Sequence, residues 1–141
     1  MPALRNFLFN TKDITVEEIN QYTISLGLDT ESSVIEWMQL DNIYKTTTTA
    51  RWKLILKLFK WMSWKKYRPD IYDCDDFADA LRFRLKLLTL HNAVGVAIGS
   101  IPAGYHAWTV IYATDSLMFI EPQTMKLIDL HGEYKMYKLR M

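Results

Sequence analysis

Apolar and polar positions along this chain follow two periods, helical in the first two thirds and strand-like in the last, with the change near residue 92. Thr15 and Glu18 have the spacing of a capping box. Val16, Ile19, Tyr22 and Ile24 then line one face before Gly27, which predicts a helix from about 15 to 26. Thr30 or Ser32 is placed to cap a second, shorter helix carrying Val34, Ile35, Trp37, Met38 and Leu40. Residues 50–64, ARWKLILKLFKWMSW, set Lys53, Lys57 and Lys60 at helical spacing among apolar neighbours, the strongest amphipathic pattern in the chain. Pro69 in KKYRPD disfavours helix at the residue before it, so 65–70 reads as a loop. Asp73 then caps a helix from Cys74 to about Leu90, with Phe77, Ala80, Leu81, Leu85 and Leu88 at helical spacing. Its acids, Asp75, Asp76 and Asp79, come early and Arg82, Arg84 and Lys86 later, as the helix dipole favours.

From residue 93 the text becomes AVGVAIG, YHAWTVIYA, LMFIEP, MKLIDL and EYKMYKL, broken by IPAG, TDS, QT and HG, which predicts short antiparallel strands. The expected class is α+β: N-terminal helices followed by an antiparallel β-meander, in a single domain over 1–141 with a helical part of about 1–91 and a sheet part of about 92–141.

Composition narrows the picture. Of 141 residues 50% are apolar, with 5 Gly and 4 Pro, which excludes disorder and low-complexity linkers. Lys and Arg number 17 against 16 acids, so net charge supplies no general drive toward nucleic acid or an anionic membrane. The one cysteine cannot form an internal disulfide, and the short apolar stretch at the N-terminus is broken by Arg5 and Asn6. The expectation is a cytoplasmic protein without a membrane segment.

The candidate chemistry begins at Cys74, in the first turn of a predicted helix, where backbone N–H groups favour a thiolate. His106 lies in GYHAW and Glu121 closes the next strand in FIEPQT, so nucleophile, base and orienting acid occur in that order. If the turn at 113–116 is a two- or four-residue loop, paired positions sum to 229. Glu121 then falls on the face of His106 and is predicted to bond its ring.

The motifs Asp73-Cys74-Asp75-Asp76-Phe77-Ala78, His106-Ala107-Trp108 and Glu121-Pro122-Gln123-Thr124 resemble the transglutaminase-like superfamily, including bacterial transglutaminase-like cysteine proteinases. The resemblance spans about residues 71–124. It implies a papain-like core and a Cys-His-acid triad, with Glu121 where the family usually has Asp. The activity it implies is a thiol protease, amidase or acyltransferase: a cysteine-dependent hydrolase working through a thioester on a peptide, protein or small amide. Tyr72, Gln123 and Trp108 are candidates for the oxyanion or substrate contacts, with Gln39, Trp61 and Trp64 as further side-chain donors.

A second expectation belongs to another class. Residues 51–68 hold seven Lys and Arg, no acid, and Trp52, Trp61, Trp64 and Tyr67, so the same fold could be a non-catalytic binding protein using this basic aromatic helix for nucleic acid, a membrane surface or protein. The solvated lysine face of a core helix is the simpler account, and no nucleic-acid or membrane partner is expected. His91 and His131 lack ligand spacing, so neither a metal nor another cofactor is expected. The sequence leaves the oligomeric state open.

Overall fold

In the computed structural model, residues 11–25, 36–38, 41–60, 68–69, 73–129 and 135–141 are described. The chain opens on a strand, β1 (Lys12–Thr15), that runs directly into α1 (Val16–Ser25). The predicted capping box forms there: the Thr15 N–H donates to Glu18 Oε2 at 2.7 Å and the Glu18 N–H to Thr15 Oγ1 at 3.2 Å. Next come β2 (Glu36–Met38), β3 (Ile43–Thr46), α2 (Thr49–Phe59) and α3 (Cys74–Thr89). The remaining strands are β4 (Val94–Ile101), β5 (Gly104–Tyr112), β6 (Leu117–Glu121), β7 (Lys126–Ile128) and β8 (Lys135–Arg140).

This order corrects the expected division into helices and then strands. Strands β1 and β3 pair antiparallel as a ribbon, and β2 stands where the second helix was expected. An apolar run as short as 34–40 satisfies either period, and pairing with β8 decides for strand. Nor is the main sheet a meander. Its order is β2-β8-β4-β5-β6-β7, so β8 crosses back to lie between β4 and β2, antiparallel to the first and parallel to the second. The architecture is a sheet-dominated fold with few helices, and the expectation of an N-terminal helical, papain-like core gives way to it.

Both faces of the sheet are buried. On one face Trp52, Ile55 and Leu56 of α2 and Leu81 and Leu85 of α3 pack on Val94, Ile111, Met118 and Ile120. On the other, Ile14, Ile19 and Tyr44 cover Trp108, Val110, Tyr112, Met136 and Leu139. Met136 and Leu139 are three apart in sequence and would ordinarily point to opposite faces. A bulge opposite Ile98 and Gly99 brings both into the core, since Gly99 pairs with Met136 and Ala97 with Leu139. Gly99 is required there, because a Cβ would stand 1.8 Å from the Lys135 carbonyl oxygen.

The basic helix behaves as an amphipathic core helix. Lys53, Lys57 and Lys60 are exposed while Trp52, Ile55 and Leu56 are buried. Residues 61–67, with Trp61, Trp64 and Tyr67, lie outside the described residues. Among the described residues no helix is long and apolar enough to cross a membrane.

Candidate functional site

Three elements meet at one end of the sheet: the start of α3, the start of β5 and the end of β6. Strands β5 and β6 pair with Thr109 opposite Ile120 and Tyr112 opposite Leu117, and the Ala113 N–H donates to the Ser116 carbonyl at 3.0 Å across the turn. This is the register with paired positions summing to 229. Glu121, continuing it, faces the same way as His106. The His106 Nε2–H donates to Glu121 Oε2 at 2.7 Å, and Glu121 Oε1 accepts from the Gln123 N–H at 3.3 Å. Both carboxylate oxygens are engaged, so the imidazole is held through one nitrogen while Nδ1 remains its second polar position. The two side chains are only 13% and 23% exposed, so the pair is held mostly within the fold with a small part of each at the surface.

Trp108, two residues further along the strand, is wholly buried, with its ring 6.3 Å from that of His106. It supports the imidazole from the core side and has no surface to offer a ligand. Gln123 is half-buried beside Glu121. Tyr72, Gln39, Trp61 and Trp64 lie outside the described residues.

Cys74 is brought to the same strand. It packs with Ala78, Ile98 and Ala107, and the backbone N–H of Ala107, next to His106, donates to its sulfur. The expected activation of the thiol is not found. Burial pushes the Cys74 thiol above its ordinary pKa, and the charges of Asp73 and Asp75 push the same way, outweighing the N–H groups of Ala107 and Asp75. The first-turn acids that suit the helix dipole therefore work against a thiolate. Asp76 Oδ2 accepts from the Asp73 N–H at 3.2 Å, while the Asp75 carboxyl, hydrogen-bonded to Asp73, is itself pushed up. Ligand atoms of Asp73, Cys74 and Asp75 lie within 4.8 Å of one another, the grouping among the described residues with the reach to hold an ion. A thiol kept protonated is a poor metal ligand.

Sequence reasoning missed an aromatic pair at this end of the sheet. Tyr105 is 83% exposed, and its ring centroid lies 6.4 Å from that of Tyr137 on β8. The pairing depends on β8 crossing to β4, for which no local signal exists.

No protein-family model matches the chain, and no curated protein sequence does. Solved structures do. The chain is similar to the PSL1a-E64 complex at a TM-score of 0.73 and 19% identity, over 92% of this chain and 50% of that one. It is similar to Polyporus squamosus lectin, bound to the human-type influenza-binding epitope Neu5Aca2-6Galb1-4GlcNAc, at a TM-score of 0.70 and 19% identity, over 92% of this chain and 49% of that one. The likeness is one of fold. The chain spans about half the length of these structures.

These neighbours correct the family expectation. The transglutaminase-like resemblance rested on three short motifs, and the fold is instead shared with a lectin. The readings as a thiol protease, amidase or acyltransferase, and as an enzyme with a peptide or amide substrate, are withdrawn with it.

Proposed function

We propose that this chain is a non-catalytic binding protein that takes a saccharide at the end of the sheet where His106 and Glu121 meet. The observation that carries the reading is the hydrogen-bonded pair itself, held at a strand end with a small part of each side chain at the surface. A saccharide presents a rim of hydroxyl groups that donate, and an imidazole whose Nδ1 accepts, beside a carboxylate that also accepts, takes such donors. Preorganised polar groups lose little freedom on binding. The fold likeness to a lectin bound to a sialylated trisaccharide supports the same class of ligand.

The test is isothermal titration calorimetry with that trisaccharide, alongside a glycan array. Wild-type protein is expected to bind a glycan, and Glu121→Gln and His106→Ala to weaken binding roughly tenfold or more, as loss of a charge-assisted hydrogen bond does. Cys74→Ala should stay within about twofold, a fraction of a kcal/mol. A wild-type protein that binds no glycan on the array removes the reading. The exposed lysines of α2 are the competing surface, and tight, steeply salt-dependent binding of an oligonucleotide would move the site there.

A further inference from the structure

We propose that Tyr105, Tyr137 and Ser100 form a shelf that receives one pyranose ring of the ligand, with the Tyr105 ring stacking on its C–H face. This rests on the saccharide reading and adds a second contact surface, on the face of β5 opposite to His106 and Glu121, since neighbouring strand residues alternate. A lone exposed tyrosine needs no explanation. Here the exposed ring has a built partner. Tyr105 is 83% exposed on β5, and the Tyr137 ring on β8 meets it edge-on at 6.4 Å with 63° between planes. Between them runs β4, where Ser100 pairs directly with Tyr105 and its hydroxyl lies 2.8 Å from the Tyr137 hydroxyl. The bond orients the second ring, so the angle between the two walls is set before any ligand arrives.

The backbone keeps the shelf open. Ile101 pairs with Gly104 across a tight turn, and Gly104 has φ +127°, a conformation that side chains rarely adopt. Among the described residues, apart from its two chain neighbours, none lies within 4 Å of where a Cβ on Gly104 would stand, so the turn is open to solvent. Ala107 follows Tyr105 on the same face and touches Cys74, which puts the shelf one step along the strand from the start of α3. A pyranose ring has an apolar face of C–H bonds and an edge of hydroxyl groups. The exposed ring of Tyr105 meets the face, while the Tyr137 and Ser100 hydroxyls and the exposed Lys135, which pairs with Ser100, meet the edge.

The experiment uses methyl β-galactopyranoside and methyl β-glucopyranoside as probes, with saturation-transfer NMR and calorimetry on the full chain. Ring protons of Tyr105 should shift on titration, and the sugar C–H protons should receive the strongest transfer. Tyr105→Ala should weaken binding roughly tenfold, Tyr105→Phe should keep it, and Tyr137→Phe, which frees the second ring, should cost roughly threefold. Circular dichroism checks that the variants fold, as expected for so exposed a residue. Binding that Glu121→Gln weakens and Tyr105→Ala leaves untouched overturns the shelf alone. Equal losses in Tyr105→Phe and Tyr105→Ala overturn stacking in favour of the hydroxyl. A wild-type protein that binds neither these probes nor any arrayed glycan overturns the shelf and the saccharide reading together.

Discussion

Two helices start against the same face of the sheet, and their first turns are built in opposite ways. At α2, Thr48 caps the helix, and one carboxylate from a distant turn completes it: Asp115 Oδ1 accepts from the Thr49 N–H at 2.7 Å and from the Thr49 hydroxyl at 2.8 Å. Those bonds hold the Asp115 carboxyl below the usual carboxylate range. At α3, three acids, Asp73, Asp75 and Asp76, share one helix end, and Asp75 is pushed up by its bond with Asp73 and by burial. One acid with two donors stabilises a helix start, whereas a carboxyl set against a second carboxyl is disfavoured in its charged form. The α2 end is sealed into the fold. The α3 end keeps an unfavourable charge at Asp75.

Removing a piece of the sealed end should cost most. Thr46 Oγ1 accepts from Trp52 Nε1 at 3.1 Å and donates to the Tyr112 carbonyl, joining α2, β3 and β5 in the core. Thr46→Val strands a buried N–H and should lose about 2 kcal/mol in urea unfolding. Asp115→Ala should lose about 1 kcal/mol, as helix caps do. Its carboxyl is depressed in the folded state, so this stability is full above the ordinary aspartate value and disappears as pH falls through the folded one. Parent and variant should therefore converge in acid.

At the crowded end the sign reverses. Asp75→Asn should gain about 0.3 kcal/mol at neutral pH by relieving a like-charge pair. The Asp75 carboxyl is raised in the folded state, so its penalty is present above the folded value and vanishes on acidification below the ordinary one. Acid erases both differences, from opposite sides. A gain for Asp75→Asn that persists in acid would show that its origin is not the charge. The smallest effect concerns the thiol. Iodoacetamide alkylation of Cys74 should show a midpoint above that of a free cysteine, and Asp75→Asn should lower it slightly, because burial is the larger cause and stays. A midpoint below the free value would mean that the helix start dominates after all.

What was legible in the sequence was local. Thr15 with Glu18 announced α1, Asp73 announced α3, and of the turns open at 113–116 the two- or four-residue loop is the one that forms, in the register that joins His106 to Glu121. What was hidden depends on partners distant in sequence. Glu36-Trp37-Met38 is a strand because β8 lies beside it, and Lys135–Arg140 fits the core only through its bulge. The Tyr105 and Tyr137 rings meet only because β8 returns to β4. The chemistry was legible as a set of residues and misleading as a family. His106 and Glu121 do bond, and Cys74 reaches the neighbouring Ala107, yet the acids that cap the Cys74 helix also raise its thiol.

The interior position of β8 also sets an order of events during synthesis. Strands β4 to β7 can zip up by successive neighbouring pairings as they leave the ribosome, but β4 must wait for β8, and β2 can join only through β8. Until then β4, rich in valine and isoleucine, offers an unpaired edge to any passing chain. Closing that edge joins residues distant in sequence, from Ser100 with Lys135 to Val96 with Arg140, and adding β2 to β8 then pairs strands across most of the chain, the slowest kind of contact to form. A nascent chain stalled before residue 135 would therefore be the most aggregation-prone species this protein produces, and one that chaperones would be expected to hold.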